Sequence, residues 1–179
     1  MLKPIMYWLL ATLVPYLCVG QDSNEELIDW NKSRYLSWSD YKGSPNPNSD
    51  AAAATTTYLG IEYNVGQNGF TYKIQCKFSK TKSWGKSKTD YILQHEQGHF
   101  DIAEIFARKL NKKMSQYEFK QSSYRKDLKE IYDEVTNEKE ETQNKYDRET
   151  DHSRKKEQQG EWIKKIEKML EELKEYAGY

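Results

Sequence analysis

Thr89-Asp90-Tyr91-Ile92-Leu93-Gln94-His95-Glu96-Gln97-Gly98-His99-Phe100-Asp101-Ile102-Ala103-Glu104-Ile105-Phe106 is the stretch on which the reading of this chain turns. Ile92, His95, His99, Ile102, Phe106 and Leu110 recur at three- and four-residue steps, the period of one helix face. Both histidines therefore fall on the stripe that faces a core. Residues i and i+4 project from the same side of a helix, so His95 and His99 can reach one metal ion. Glu96 lies beside them, where its carboxylate can take a proton from a zinc-activated water. The chain has only three histidines, and the third is His152.

A catalytic zinc needs a third protein ligand. The metzincin pattern would continue with a glycine and a third histidine, but those positions hold Ile102 and Ile105. Glu104 is nine residues from His95, and nine steps of about 100° put it on the opposite side of the helix. It suits a structural hydrogen bond or ion pair. Asp101 is also rotated away and is at best a neighbour of a ligand. A distant residue remains: His152, or else Glu134, Glu138 or Glu149. With three ligands and an open position, zinc lowers the pKa of water to about 7 and polarises a carbonyl. Glu96 then acts as general base and returns the proton to the leaving amine. Tyr146 is the candidate donor to the oxyanion.

Upstream of the helix, residues 70–78 alternate apolar and polar side chains, the mark of a half-buried strand. Gly66-Gln67-Asn68-Gly69 reads as a hairpin loop, and residues 51–65, with their threonine run, read as a partner strand. Residues 26–42 are rich in tryptophan and tyrosine and read as short strands and turns. A peptide could add as a further strand at the sheet edge, for which residues 70–78 are the candidate. Downstream, a second helix is expected over 122–147 and a third over 157–176, each with an apolar stripe. The polar end of the second helix reads as a solvated face. The fold expected is α+β: a small antiparallel sheet of about three strands on the H-E-x-x-H helix, followed by two long helices.

Residues 1–20 read as an export signal: Lys3 near the start, a mostly apolar run over 5–19, and a small-residue cleavage site before Gln21. Leu17 argues against a lipoprotein acylated at Cys18. The run is too short and too interrupted by Pro4 and Pro15 for a spanning helix, so no stable membrane insertion is expected after cleavage. Removing 20 of the 179 residues leaves 159, one domain in length, with Cys76 as its single cysteine and no internal disulfide. Cys76 reads as a small buried hydrophobe. Charges balance at 28 basic against 28 acidic residues, which gives no field for nucleic acid.

Further motifs surround the helix. They are Leu36-Ser37-Trp38-Ser39-Asp40-Tyr41-Lys42-Gly43, Ala52-Ala53-Ala54-Thr55-Thr56, Phe78-Ser79-Lys80 with Ser83-Trp84, then Tyr146-Asp147, Thr150-Asp151-His152, Gln158 or Gln159, and Trp162. With the extended H-E-Q-G-H-F-D-I-A-E string, they resemble a bacterial domain-of-unknown-function family described as predicted secreted zinc-dependent proteases. The resemblance implies a gluzincin-like peptidase fold, one zinc ion, a peptide or protein substrate, and a histidine ligand at His152. One departure is Ser153, where the family's pattern leads one to expect glycine. The function expected is an exported, periplasmic or extracellular zinc metallopeptidase. The alternatives are an exported zinc-binding protein without proteolytic activity, such as an adaptor or another amide hydrolase, and a metal-free interaction module.

Overall fold

Alternation over residues 70–78 builds the middle of the sheet. β4 (Gly69–Ser79) pairs antiparallel with β3 (Thr57–Gly66) along its length, from Thr57 opposite Phe78 to Gly66 opposite Gly69. Its other side takes β1 (Leu27–Asp29) opposite Lys77, Phe78 and Ser79, giving the order β1-β4-β3. Ile74, Cys76 and Phe78 point to one face and are buried, as a period of two requires. Cys76 is a free, buried thiol whose pKa is pushed up, first by burial and then by the charge of Glu104. This is the environment of an inert cysteine. The computed structural model describes residues 25–66 and 69–179. The expected signal segment with Cys18 and the loop residues Gln67 and Asn68 lie outside them.

The threonine run does not continue a single strand from residue 51. β2 (Ala53–Ala54) forms a separate two-stranded ribbon with β5 (Trp84–Gly85), and β3 begins only at Thr57. Between them, Ser83 Oγ accepts the Thr56 N–H at 2.9 Å, and Thr56 O accepts the Ser79 N–H at 2.9 Å. These bonds fasten the chain at the break and turn Thr55 out of strand register.

α1 (Asp90–Ser115) starts where Thr89 Oγ1 accepts the Ile92 N–H at 3.2 Å. It packs on β3 and β4 on one side and on α2 (Tyr124–Thr150) and α3 (Lys156–Glu172) on the other. It is enclosed on most faces: Ile102, Ala103, Ile105, Ala107 and Leu110 have no exposed surface. α2 runs three residues beyond the expected end, and α3 gives way to a 3-10 turn, Lys174–Tyr176. The polar end of α2 is partly engaged with α1 through Lys109–Glu138 at 3.0 Å and Lys113–Glu134 at 2.8 Å. Such exposed pairs contribute at most about 1 kcal/mol each. No described helix is long and apolar enough to cross a membrane.

Candidate metal centre

The i, i+4 spacing on α1 brings His95 and His99 together, and α2 places Asp147 between them. Nε2 of His95 and Nε2 of His99 lie 3.1 and 3.0 Å from a single oxygen, Oδ1 of Asp147. Donor atoms of these three residues all fall within 4.8 Å of one another. Two imidazoles and a carboxylate make a donor set that suits zinc, whereas calcium and magnesium prefer oxygen alone.

The neighbours fix these side chains. Gln143, one turn before Asp147, accepts from His99 Nδ1 and donates to the His99 carbonyl at 2.8 Å. A proton held on Nδ1 leaves Nε2 as the ligating atom. Burial would lower the His99 pKa, but the hydrogen bond and charge of Asp147 outweigh it and raise the pKa overall. Burial would likewise raise Asp147, yet the two histidines carry its pKa well below the usual carboxylate range. A cation here would take the place of the protons that now bind the two rings to the carboxylate.

Tyr146 is fully buried beneath both imidazoles. Its ring stacks on His95 at 4.5 Å and meets His99 edge-on at 5.1 Å. Its hydroxyl donates to the His95 carbonyl at 3.2 Å. The expectation of an oxyanion donor is therefore corrected: the hydroxyl is spent on the α1 backbone and does not face the cleft. Gly98 is explained by the same contact, because a Cβ there would lie 2.6 Å from the Tyr146 hydroxyl.

Glu96 is buried but lines the cleft. Its Oε2 accepts from Thr55 Oγ1 at 2.6 Å, and Thr55 Oγ1 is 2.8 Å from the Tyr41 hydroxyl. Burial, and then the charge of Glu96, pushes the Tyr41 pKa up and keeps it a phenol. The cleft, about 250 Å³, lies between residues 51–55 and the helix pair, and His152 stands at its rim. None of residues 70–78 borders it. The expected substrate edge there is corrected: β4 is the central strand, and the strand beside the cleft is β2.

His152 stands outside the tight triple. Its Nδ1 is 3.6 Å from Asp147 Oδ1, and its side chain is 59% exposed. It sits in a left-handed turn formed by Asp151, His152 and Ser153, with φ of 49°, 51° and 71°. Each such residue other than glycine is strained by roughly 1–2 kcal/mol. The glycine expected at position 153 thus has a conformational reason that serine lacks. The acidic alternatives point elsewhere. Glu134 and Glu138 pair with lysines of α1, and Glu149 accepts from Trp162 Nε1 at 2.8 Å. Glu104 bonds Arg108 at 2.8 Å, the ion pair expected of it, while Asp101 accepts from Trp30 and Gln97, each at 2.8 Å.

Asp147, Thr55 and Tyr41 lie in the motifs that carry the family resemblance, but neither they nor Gln143 has a site role assigned from the sequence. On α2, Tyr146 and Thr150 continue the stripe that Leu128 and Val135 begin, whereas Gln143 and Asp147 lie to one side of it, about 60° and 100° around the helix from Leu128. The chain matches no curated protein and no solved structure. A family model described as a bacterial protein of unknown function (DUF922) matches residues 29–153, a span that contains the whole cluster. That match covers well over half of the chain, which belongs to the DUF922 family.

Proposed function

We propose that the protein is an exported zinc-dependent metallopeptidase, with Glu96 as general base. The observation that carries this reading is the convergence of His95 Nε2, His99 Nε2 and Asp147 Oδ1 in a cleft that Glu96 also lines. These three side chains would hold the ion, in place of the ligand set that ends in His152. Zinc supplies Lewis acidity that makes water acidic and a carbonyl electrophilic. Glu96 takes a proton from the attacking water and returns it to the leaving amine. Gln143 and Tyr146 hold the imidazoles in place. Residues 51–54 form the facing wall, and among the described residues β2 pairs along one edge, with β5. Its other edge offers main-chain groups to a peptide strand. His152 at the rim is the histidine facing the bound substrate. The apolar N-terminal segment supports action outside the cytoplasm.

The test is metal analysis of the purified protein, followed by digestion of a broad peptide library with and without chelator. Near-stoichiometric zinc and chelator-sensitive cleavage are expected. Absence of zinc ends the reading, as does a zinc-loaded protein that cuts nothing.

A second reading, an exported zinc-binding protein without proteolytic activity, draws on the 3.6 Å approach of His152 to Asp147. A fourth protein ligand would close the coordination sphere, as in structural zinc sites. H152A separates the two. An open site keeps its zinc affinity in this variant, and a closed site loses it.

A further inference from the structure

We infer that Tyr41 and Thr55 form a directed hydrogen-bond chain that sets the carboxylate of Glu96, and that both are positioning residues for that base. The inference rests on the peptidase reading for what Glu96 does, but not for how its carboxylate is held. A carboxylate only accepts, so Thr55 Oγ1 donates its one proton to Glu96 Oε2 across 2.6 Å. Thr55 Oγ1 must then accept from its other neighbour, and the Tyr41 hydroxyl donates to it across 2.8 Å. The direction of the chain is fixed from Tyr41 to Thr55 to Glu96. It occupies one carboxylate oxygen and leaves Oε1 for the cleft.

The donors are themselves held. The Tyr41 ring is buried, tilted against Trp38 at 5.0 Å and edge-on to Phe78 at 5.1 Å. Thr55 lies between the β2–β5 ribbon and the bonds that pin Thr56 to Ser83 and Ser79. Ser83 also fastens the loop that follows Tyr41, since its carbonyl accepts the Gly43 N–H at 2.8 Å. A Cβ at Gly43 would lie 2.8 Å from that same oxygen, so a larger residue there would push the loop away. Tyr41 and Thr55 thus share one fixed point, and Glu96 inherits its orientation from a part of the chain outside both metal-bearing helices. Without that hold a glutamate has several rotamers to choose from, and a misplacement near 1 Å can cost about a hundredfold in rate.

The variant that tests this is T55V, which keeps the branched shape and removes the hydroxyl. Against a fluorogenic peptide that the zinc-loaded protein cleaves, kcat should fall by about 10- to 100-fold, with KM, zinc content and thermal midpoint unchanged. T55S should restore the rate, and Y41F should lower it by only a few-fold. In metal-free, carbon-labelled protein, the Glu96 carboxyl resonance should move in T55V and stay in place in T55S. If T55V does not fold, T55A makes the same comparison. A T55V protein with wild-type kcat overturns the positioning role, whether or not the resonance moves. An unmoved resonance overturns the hydrogen-bond chain. If the wild-type protein cuts no peptide, the peptidase reading falls, and the resonance alone decides how Glu96 is held.

Discussion

Glu96 and Glu104 are both buried carboxylates on α1, eight residues apart, yet they are put to opposite uses. Eight steps of about 100° leave their side chains about 80° apart around the helix, enough to face different neighbours. Both oxygens of Glu104 are taken, Oε1 by Arg108 at 2.8 Å and Oε2 by the Tyr179 hydroxyl. Arg108 in turn donates to the Leu170 carbonyl at 2.7 Å, so the group ties α1 to the C-terminal end of α3. Glu96 has one oxygen bound by Thr55 and borders a cleft that holds two histidines and an aspartate. A buried carboxylate with both oxygens engaged holds a fold together; one with an oxygen left open beside two histidines and an aspartate is available for chemistry.

The sharpest way to break this contrast is to neutralise each carboxylate. E96Q should lower kcat by about 10²–10⁴-fold, with zinc content and thermal midpoint unchanged. A loss of stability comparable to that of E104Q would make Glu96 structural after all. E104Q should do the reverse, costing about 3–5 kcal/mol in denaturant unfolding because Arg108 is left buried without its partner. The kcat of its folded fraction should match wild type. Q143A comes next and asks whether the ligands depend on their supports. Its zinc affinity, measured by competition with a chromophoric chelator, should fall by about 10- to 100-fold. The smallest effect is expected from S153G, which relieves the left-handed turn at the cleft rim. Strain relief of roughly 1–2 kcal/mol, less the about 0.4–1 kcal/mol that a glycine costs through the unfolded chain, should raise unfolding free energy by about 1 kcal/mol and leave zinc affinity alone. A changed affinity would mean that the turn governs the site.

Much of the α1 half was legible because helical period and chemistry coincide there. His95 and His99 share the stripe of Ile102 and Phe106. The rest of the extended string also has physical reasons. Gln97 accepts the Leu36 N–H at 2.8 Å and donates to Asp101, Asp101 receives the Trp30 indole, and Gly98 makes room for Tyr146. The α2 half was harder, since Gln143 and Asp147 lie beside the apolar stripe of that helix, among many other polar and charged residues. Asp147 stands next to Tyr146 and five residues before His152, and nothing in its local sequence sets it apart from the other acids of α2. Thr55 reads locally as a strand former, while its partner Glu96 is 41 residues away. The same non-locality misled the edge assignment. Alternation over 70–78 reports a buried face, but not which strands lie on either side.

The contact between His95 and Asp147 joins residues 52 apart in a chain whose described part holds one free cysteine and no disulfide. A cation shared by them would act as a reversible cross-link. By chain-entropy arithmetic, a loop of that length restricted in the unfolded state is worth about 4 kcal/mol, apart from any gain in catalysis. On the peptidase reading, the ion proposed to equip the cleft for hydrolysis would also govern how long the folded molecule survives.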